Sequence, residues 1–232
     1  MQSFSNRQLA ALTAAAALGL LAWDVSGLDL VMANWFGGPG GFPLRDHWLL
    51  TGVLHDGAKR LAWGLALGLC LGVWWPMGVL ADLPFKRRLQ LAATTLVAVL
   101  VIGSLKTLST ASCPWSLSEF GGVAHYTPHW MHLLAPDGGS GGCFPAGHAA
   151  SGFAFVGGYF AFGHTAPRVA RRWLAASMGA GLVLGLAQQM RGAHFSSHTL
   201  WTAWLCWCVA WVMDAVCTHL NCKPLDAGMT GA

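Results

Sequence analysis

Four stretches of the chain, residues 62–81, 89–105, 147–167 and 173–190, contain no Asp, Glu, Lys or Arg. Two more nearly match them: 9–23, rich in Ala and Leu, and 199–220, which carries only Asp214. A bilayer core takes about 20 mostly apolar residues per helix. Runs of this length and purity therefore predict an all-α polytopic membrane protein with six transmembrane helices. A transmembrane barrel would alternate apolar and polar residues in short segments, and these runs do not. Composition excludes the remaining classes. Charged residues make up 9% of the chain against about 25% in soluble domains, too few to cover a soluble surface. Disorder needs low hydrophobicity and high charge, whereas 55% of this sequence is hydrophobic. The first run resembles a signal segment but lacks a small-residue cleavage site, so it reads as an uncleaved helix.

Charge sets the orientation. The connections 82–88 and 164–172 hold Lys86, Arg87, Arg88, Arg168, Arg171 and Arg172 against the single acid Asp82. Short loops rich in Lys and Arg stay in the cytoplasm, and Arg7 and Lys223 agree. Both termini are then cytoplasmic, and about 24–61, 106–146 and 191–198 lie on the opposite, outer face. The formal net charge of +4 is mostly this retention signal. Basic residues divided among short loops, with no binding module beside them, exclude nucleic acid as a partner. Residues 1–232 read as a single domain, with the Gly- and Pro-rich 37–43 and 136–142 as turns inside outer loops.

Outside is also where the reactive side chains gather. His47, His55, His125, His129, His132, His148, His194 and His198 fall at or near that face, leaving His164 and His219 on the other. Cys113 and Cys143 bracket one outer loop, and an oxidising compartment favours their pairing over two free thiols. Asp46, His47, His55, Asp56 and Arg60 cluster before the second run. They read either as head-group contacts or as a solvated interfacial group. His125, His129 and His132 lack the acid or cysteine that would complete a familiar metal site, and Pro128 interrupts their periodicity. No metal and no cofactor is expected.

Three segments stand at the outer ends of the runs: Lys106 followed after six residues by Cys113-Pro114-Trp115; Pro145-Ala146-Gly147-His148; and Arg191-Gly192-Ala193-His194-Phe195-Ser196-Ser197-His198. Two cations, several imidazoles and a Pro-Gly helix entry suit an anion undergoing proton-coupled chemistry, phosphate above all. Taken singly, each part has a plainer reading. Lys106 could snorkel from a span end, His148 could be an interfacial polar residue, and His194 with His198 could share a helix face as metal or haem ligands.

Together the segments resemble the type-2 phosphatidic-acid phosphatase superfamily of integral-membrane enzymes. Its pattern is Lys, six residues, Arg-Pro; then Pro-Ser-Gly-His; then Ser-Arg, five residues, His, three residues, Asp. Lys106 and Pro114 match the first element. Pro145, Gly147 and His148 match the second, and Gly192, His194 and Phe195 the neighbourhood of the third. Cys113 replaces the first Arg, Ala146 the Ser, Gln188 the second Arg and His198 the Asp. Arg191, about one helical turn after Gln188, is placed to supply the missing guanidinium. A second register pairs Arg191 with His198 as nucleophile and Thr202 in the place of the Asp. Its gap is six residues rather than five, and His194 is preferred.

The resemblance implies a metal-independent membrane phosphatase acting on a lipid phosphate or pyrophosphate at the outer face of the membrane. His194 would form a phosphohistidine, with His148 as acid and base. Lys106, Arg191 and the amides of Gly147 and Ala146 would bind phosphate, and His198 or Glu119 would orient the nucleophile. Phosphoryl transfer from one lipid to another, and lipid-phosphate binding without catalysis, are the alternatives. A haem-binding electron carrier is disfavoured because the runs are nearly free of His away from their ends.

Overall fold

The computed structural model of the chain describes residues 5–128 and 137–221. Helix α1, Asn6–Val25, opens on a capping box: the Ser5 hydroxyl accepts from the Gln8 amide, and the Gln8 side chain accepts from the Ser5 amide. That arrangement satisfies two otherwise orphaned N–H groups. A short helix α2 follows, Leu28–Ala33. A π-helical run, Leu49–Gly57, then passes without a break into α3, Ala58–Leu71. Helix α4 is Phe85–Leu108. A long connection with two 3-10 turns leads to α5, Ala150–Phe153, and α6, Gly157–Phe162, joined by a 3-10 turn. Helices α7, Pro167–Met190, and α8, Ser196–Asn221, are the last elements among the described residues.

The protein is all-helical. Among the described residues, extended pairing is confined to two isolated bridges, Gly38 with Gly41 and Leu117 with Ala124. Among the described residues, three helices are long and apolar enough to cross a bilayer: α1, α4 and the Ser196–Leu220 part of α8. Helix α7 has 24 residues, but Arg168, Arg171 and Arg172 occupy its first turns. The apolar run Ala150–Phe162 reaches only about 20 Å. Two of the expected runs end earlier than their apolar pattern. The second extends over Leu49–Leu71 rather than 62–81, because Gly72 ends the helix and Pro76 has no N–H to continue it. The fourth ends at Phe162, and its 3-10 turn leaves the Phe155 carbonyl to accept from the Trp173 indole at 2.7 Å.

Apolar side chains cover much of the outside, and several polar ones lie in the interior. Leu18, Leu61, Leu100 and Val212 are exposed, while Thr94, Gln188, Ser197 and His198 lie inside. Apolar surface of this extent needs lipid or a partner to cover it. The core sits among α4, α5, α6 and α8 and is built largely of small residues: Ala98, Ala146, Ala149, Ala150, Ala154 and Ala210 surround Phe153 and Ile102. Small side chains let backbones approach closely in membrane helix packing. A Cβ at Gly157 would meet Thr94 Cγ2 at 2.8 Å. The single acid of α8 is matched: Asp214 accepts from Arg87 at 2.5 Å and from Gln90 at 3.1 Å, both on α4. At the other end of α8, Asp29 of α2 accepts from the Ser197 amide at 3.0 Å and from the Trp23 indole, and also pairs with the Ser197 hydroxyl. It thereby caps the first turn of α8 and docks α1 and α2 beside the connection that carries His194.

Candidate phosphate-binding site

Backbone and covalent links draw the three segments to one end of the helices. The Cys113–Cys143 disulfide, with Cα atoms 5.2 Å apart, joins the chain after α4 to the chain before α5. The Trp115 amide donates to the Gly192 carbonyl at 2.9 Å, bringing in the α7–α8 connection. Gly192 has φ of +73°, a left-handed conformation that glycine adopts without a Cβ penalty. The Ala146 amide donates to Thr202 Oγ1 at 2.9 Å, fixing the Pro145–His148 segment on α8. That amide is thus already engaged, and Gly147 keeps the expected position: a Cβ there would lie 3.3 Å from Lys106 Cδ, so the lysine stem passes directly over it.

His194 is 3% exposed, and its Nδ1 lies 2.7 Å from the carbonyl oxygen of Cys143. A carbonyl only accepts, so Nδ1 carries the proton and Nε2 the lone pair. Sequence reasoning assigned this orienting role to His198 or Glu119, because a main-chain acceptor leaves no signature in residue types; the partner of Nδ1 is instead the Cys143 carbonyl. His198 packs edge-on against His194, with ring centroids 5.8 Å apart, and also against Phe144 and Phe195. Glu119 is exposed and accepts from Ser118. Burial, together with the nearby charges of Lys106 and His148, holds the His194 pKa well below 6.5 against the opposing pull of the Cys143 hydrogen bond.

His148 occupies the turn ahead of α5, and its Nδ1 is buried with no hydrogen-bond partner among the described residues. Burial, then the charges of His55, Lys106, Lys59 and Arg191, lower its pKa to about 3. Both imidazoles are therefore neutral at pH 7. Among the described residues no ion pair joins Lys106 to a carboxylate. Arg191, directly after α7, donates from Nε to the Arg45 carbonyl at 2.8 Å and from Nη1 to Gln188 Oε1 at 3.0 Å. The glutamine standing in the place of the expected arginine thus holds the arginine one turn on. Arg45 itself lies over the Trp115 ring, 4.5 Å from its centroid.

Lys59, Lys106, Gly147 and His148 line one end of a cavity of about 250 Å³. Sequence reasoning passed over Lys59. It reaches the site because the helical run before α3 starts earlier than the apolar pattern indicates. No cluster of His, Cys, Asp and Glu able to hold a metal occurs among the described residues, and His129 and His132 of the weighed triad lie outside them.

A family model described as the PAP2 superfamily matches residues 87–219. The chain belongs to the PAP2 superfamily. No curated protein and no solved structure matches it. The matched PAP2 region runs from α4 to α8 and includes Lys106, His148 and His194, so phosphatase or phosphotransferase chemistry on a phosphate-containing substrate is the class of activity. Helices α1 to α3, with His55 and Lys59, lie ahead of it.

Proposed function

We propose that this PAP2 protein is a six-span, single-domain integral-membrane phosphatase of the bacterial inner membrane. It removes phosphate from a lipid phosphate or diphosphate at the periplasmic face, with both termini cytoplasmic. The observation that carries this reading is the shape of the cavity. Below Lys59, Lys106 and His148 its wall is apolar, formed by Ala66, Leu96, Val99 and Phe155. Along α4 it descends from Lys106 to Thr95, about 16 Å at 1.5 Å per residue. Trp63 and Leu96, two of its lining residues, are 54% and 43% exposed, so it opens between α3 and α4 where lipid would lie. A polar end and an apolar shaft in one cavity fit a phosphorylated head group whose tail stays in the membrane.

The chemistry follows from the imidazoles. The negative charge of the bound phosphate favours the imidazolium form of His148, which takes up a proton from water as the substrate binds. Nε2 of His194 then attacks phosphorus in line, the bond from phosphorus to the lipid oxygen breaks, and the His148 imidazolium passes its proton to that oxygen. Water then attacks the phosphohistidine, gives a proton to His148, and the N–P bond breaks to release phosphate. Lys106, Arg191 and the Gly147 amide stabilise charge on the equatorial oxygens, where phosphoryl transfer most needs help. The carbonyl of Cys143 takes the orienting role that the superfamily's Asp has in the pattern. The test is phosphate release across a panel of lipid monophosphates and diphosphates, comparing wild type with His148→Ala and His194→Ala. Loss of turnover in both folded variants is expected. Wild type and His194→Ala behaving alike, with lipid still bound, would mean a non-catalytic binder. Phosphate appearing on an added acceptor lipid would mean phosphotransfer.

A further inference from the structure

The His55 ring lies against the His148 ring, with centroids 3.6 Å apart and planes 30° from parallel. His55 Nδ1 is in turn 2.8 Å from Asp56 Oδ1. Imidazoles that take part in proton transfer are ordinarily fixed by a hydrogen bond at the second ring nitrogen. Nδ1 of His148 has none among the described residues, so its ring must be held in another way. His55 sits in the π-helical run Leu49–Gly57, a widening of the helix that recurs at functional sites. It also lies ahead of the part of the chain that matches the superfamily.

We propose that His55, held by Asp56, is a positioning residue that fixes the plane of His148 by stacking, in place of a hydrogen bond at Nδ1. The proposal rests on the phosphatase reading, in which His148 moves the proton. The charged and titratable groups facing the pair are Lys59, Lys106 of α4, Arg191 after α7, the neutral His194 and Asp56, which Arg60 faces in turn. Most of them are cations that repel a protonated His148, and the one acid that attracts it, Asp56, hydrogen-bonds to His55, so the ring is placed by the stack. Asp56 is exposed, and its contact with the outer ring edge sets the orientation of His55 without entering the cavity.

The experiment uses the full chain in detergent micelles with phosphatidate as the probe. His55→Ala is expected to lower kcat about tenfold or more with KM changed less than about twofold, the cost of a misplaced proton donor. His55→Phe, which keeps a flat ring, should recover most of that turnover, and His55→Leu should not. Asp56→Asn, at an exposed position, should cost a smaller factor alone and nothing further in the His55→Phe background. A second readout needs no turnover: the ring protons of His148 should show a ring-current displacement that persists in His55→Phe and disappears in His55→Leu. Full kcat in His55→Ala, a loss confined to KM, recovery by Leu equal to that by Phe, or absence of the displacement in wild type overturns the proposal. Failure of the phosphatase reading would show separately, as equal phosphate release from wild type and His194→Ala, with the ring-current comparison still deciding the stack.

Discussion

The carbonyl of Cys143 accepts a hydrogen bond from Nδ1 of His194 at 2.7 Å, and the same cysteine is disulfide-bonded to Cys113. The proposed nucleophile is therefore oriented by a stretch of backbone whose placement depends on a covalent link to the chain after α4. Reduction should lower phosphate release reversibly, and Cys113→Ala with Cys143→Ala should match the reduced protein. The double variant should also lose about 2–4 kcal/mol of stability, the usual range for a native disulfide. Thiol counting in denaturant should find two more thiols after reduction than before. An unchanged count, or full activity in the double variant, would remove the disulfide from the account of the site.

The apolar shaft makes a separate prediction about substrate tails. Val99 lines the cavity below Lys106, so Val99→Trp would fill the space allotted to the chain while leaving the phosphate end untouched. KM for long-chain phosphatidate should rise about tenfold, on the scale by which apolar pockets discriminate size, and KM for a dihexanoyl analogue should stay near wild type. Equal effects on both lengths would place the tail elsewhere.

The meeting of the three motif segments at one end of the bundle was legible because each has a fixed place relative to an apolar run: Lys106 at the end of one, His148 at the start of another, His194 between two. Other parts of the site were hidden for specific physical reasons. The orienting acceptor of His194 is a main-chain atom, and every residue carries one. Lys59 reaches the cavity, and His55, weighed from sequence only as a head-group or interfacial residue, reaches the His148 ring, through a helix that begins at Leu49, 13 residues ahead of the expected 62–81 span, and continues through polar residues that hydropathy assigns to a loop. Hydropathy likewise ran past Gly72 to residue 81, since Trp74, Trp75 and Met77 are as apolar as a helix interior although the chain there is no longer α-helical. Periodicity and composition locate apolar mass well, and they are blind to the backbone geometry that ends an element.

Asp214 offers a test of packing away from the site. It and Arg87 have side chains 21% and 15% exposed and hold α4 against α8. Removing one member of a buried pair strands the other charge at a cost of about 3–5 kcal/mol, and this partly buried pair should cost less than that. Asp214→Ala should therefore unfold at a clearly lower temperature, and Arg87→Leu with Asp214→Leu should recover most of the loss. In protein that remains folded, kcat should be unchanged, since the pair lies at the opposite end of α4 from Lys106. A double variant no more stable than Asp214→Ala would show that the ion pair itself, rather than the relief of a stranded charge, stabilises the helix contact.

Protonation should be coupled to anion binding, with a sign that the site dictates. His148 has a pKa of about 3, and that of His194 lies well below 6.5, burial being the first cause for each. Unfolding restores the ordinary value, so below about pH 6.5 the unfolded chain binds protons that the folded chain does not. Stability should fall as pH drops from there toward 3, at up to about 1.4 kcal/mol per pH unit for each such group. A dianion placed among Lys106, Arg191 and the imidazoles opposes that shift, since negative charge favours the imidazolium. Sulfate, whose own charge is constant over this range, should therefore be bound with proton uptake. Its affinity should strengthen as pH falls from about 7.5 to 5.5, by no more than about tenfold per pH unit for each proton taken up. Calorimetry in buffers of different ionisation enthalpy measures that uptake directly, with chloride at matched ionic strength as the control. His148→Ala should reduce it. Proton release on binding, or an affinity indifferent to pH, would mean that the imidazoles do not face the anion.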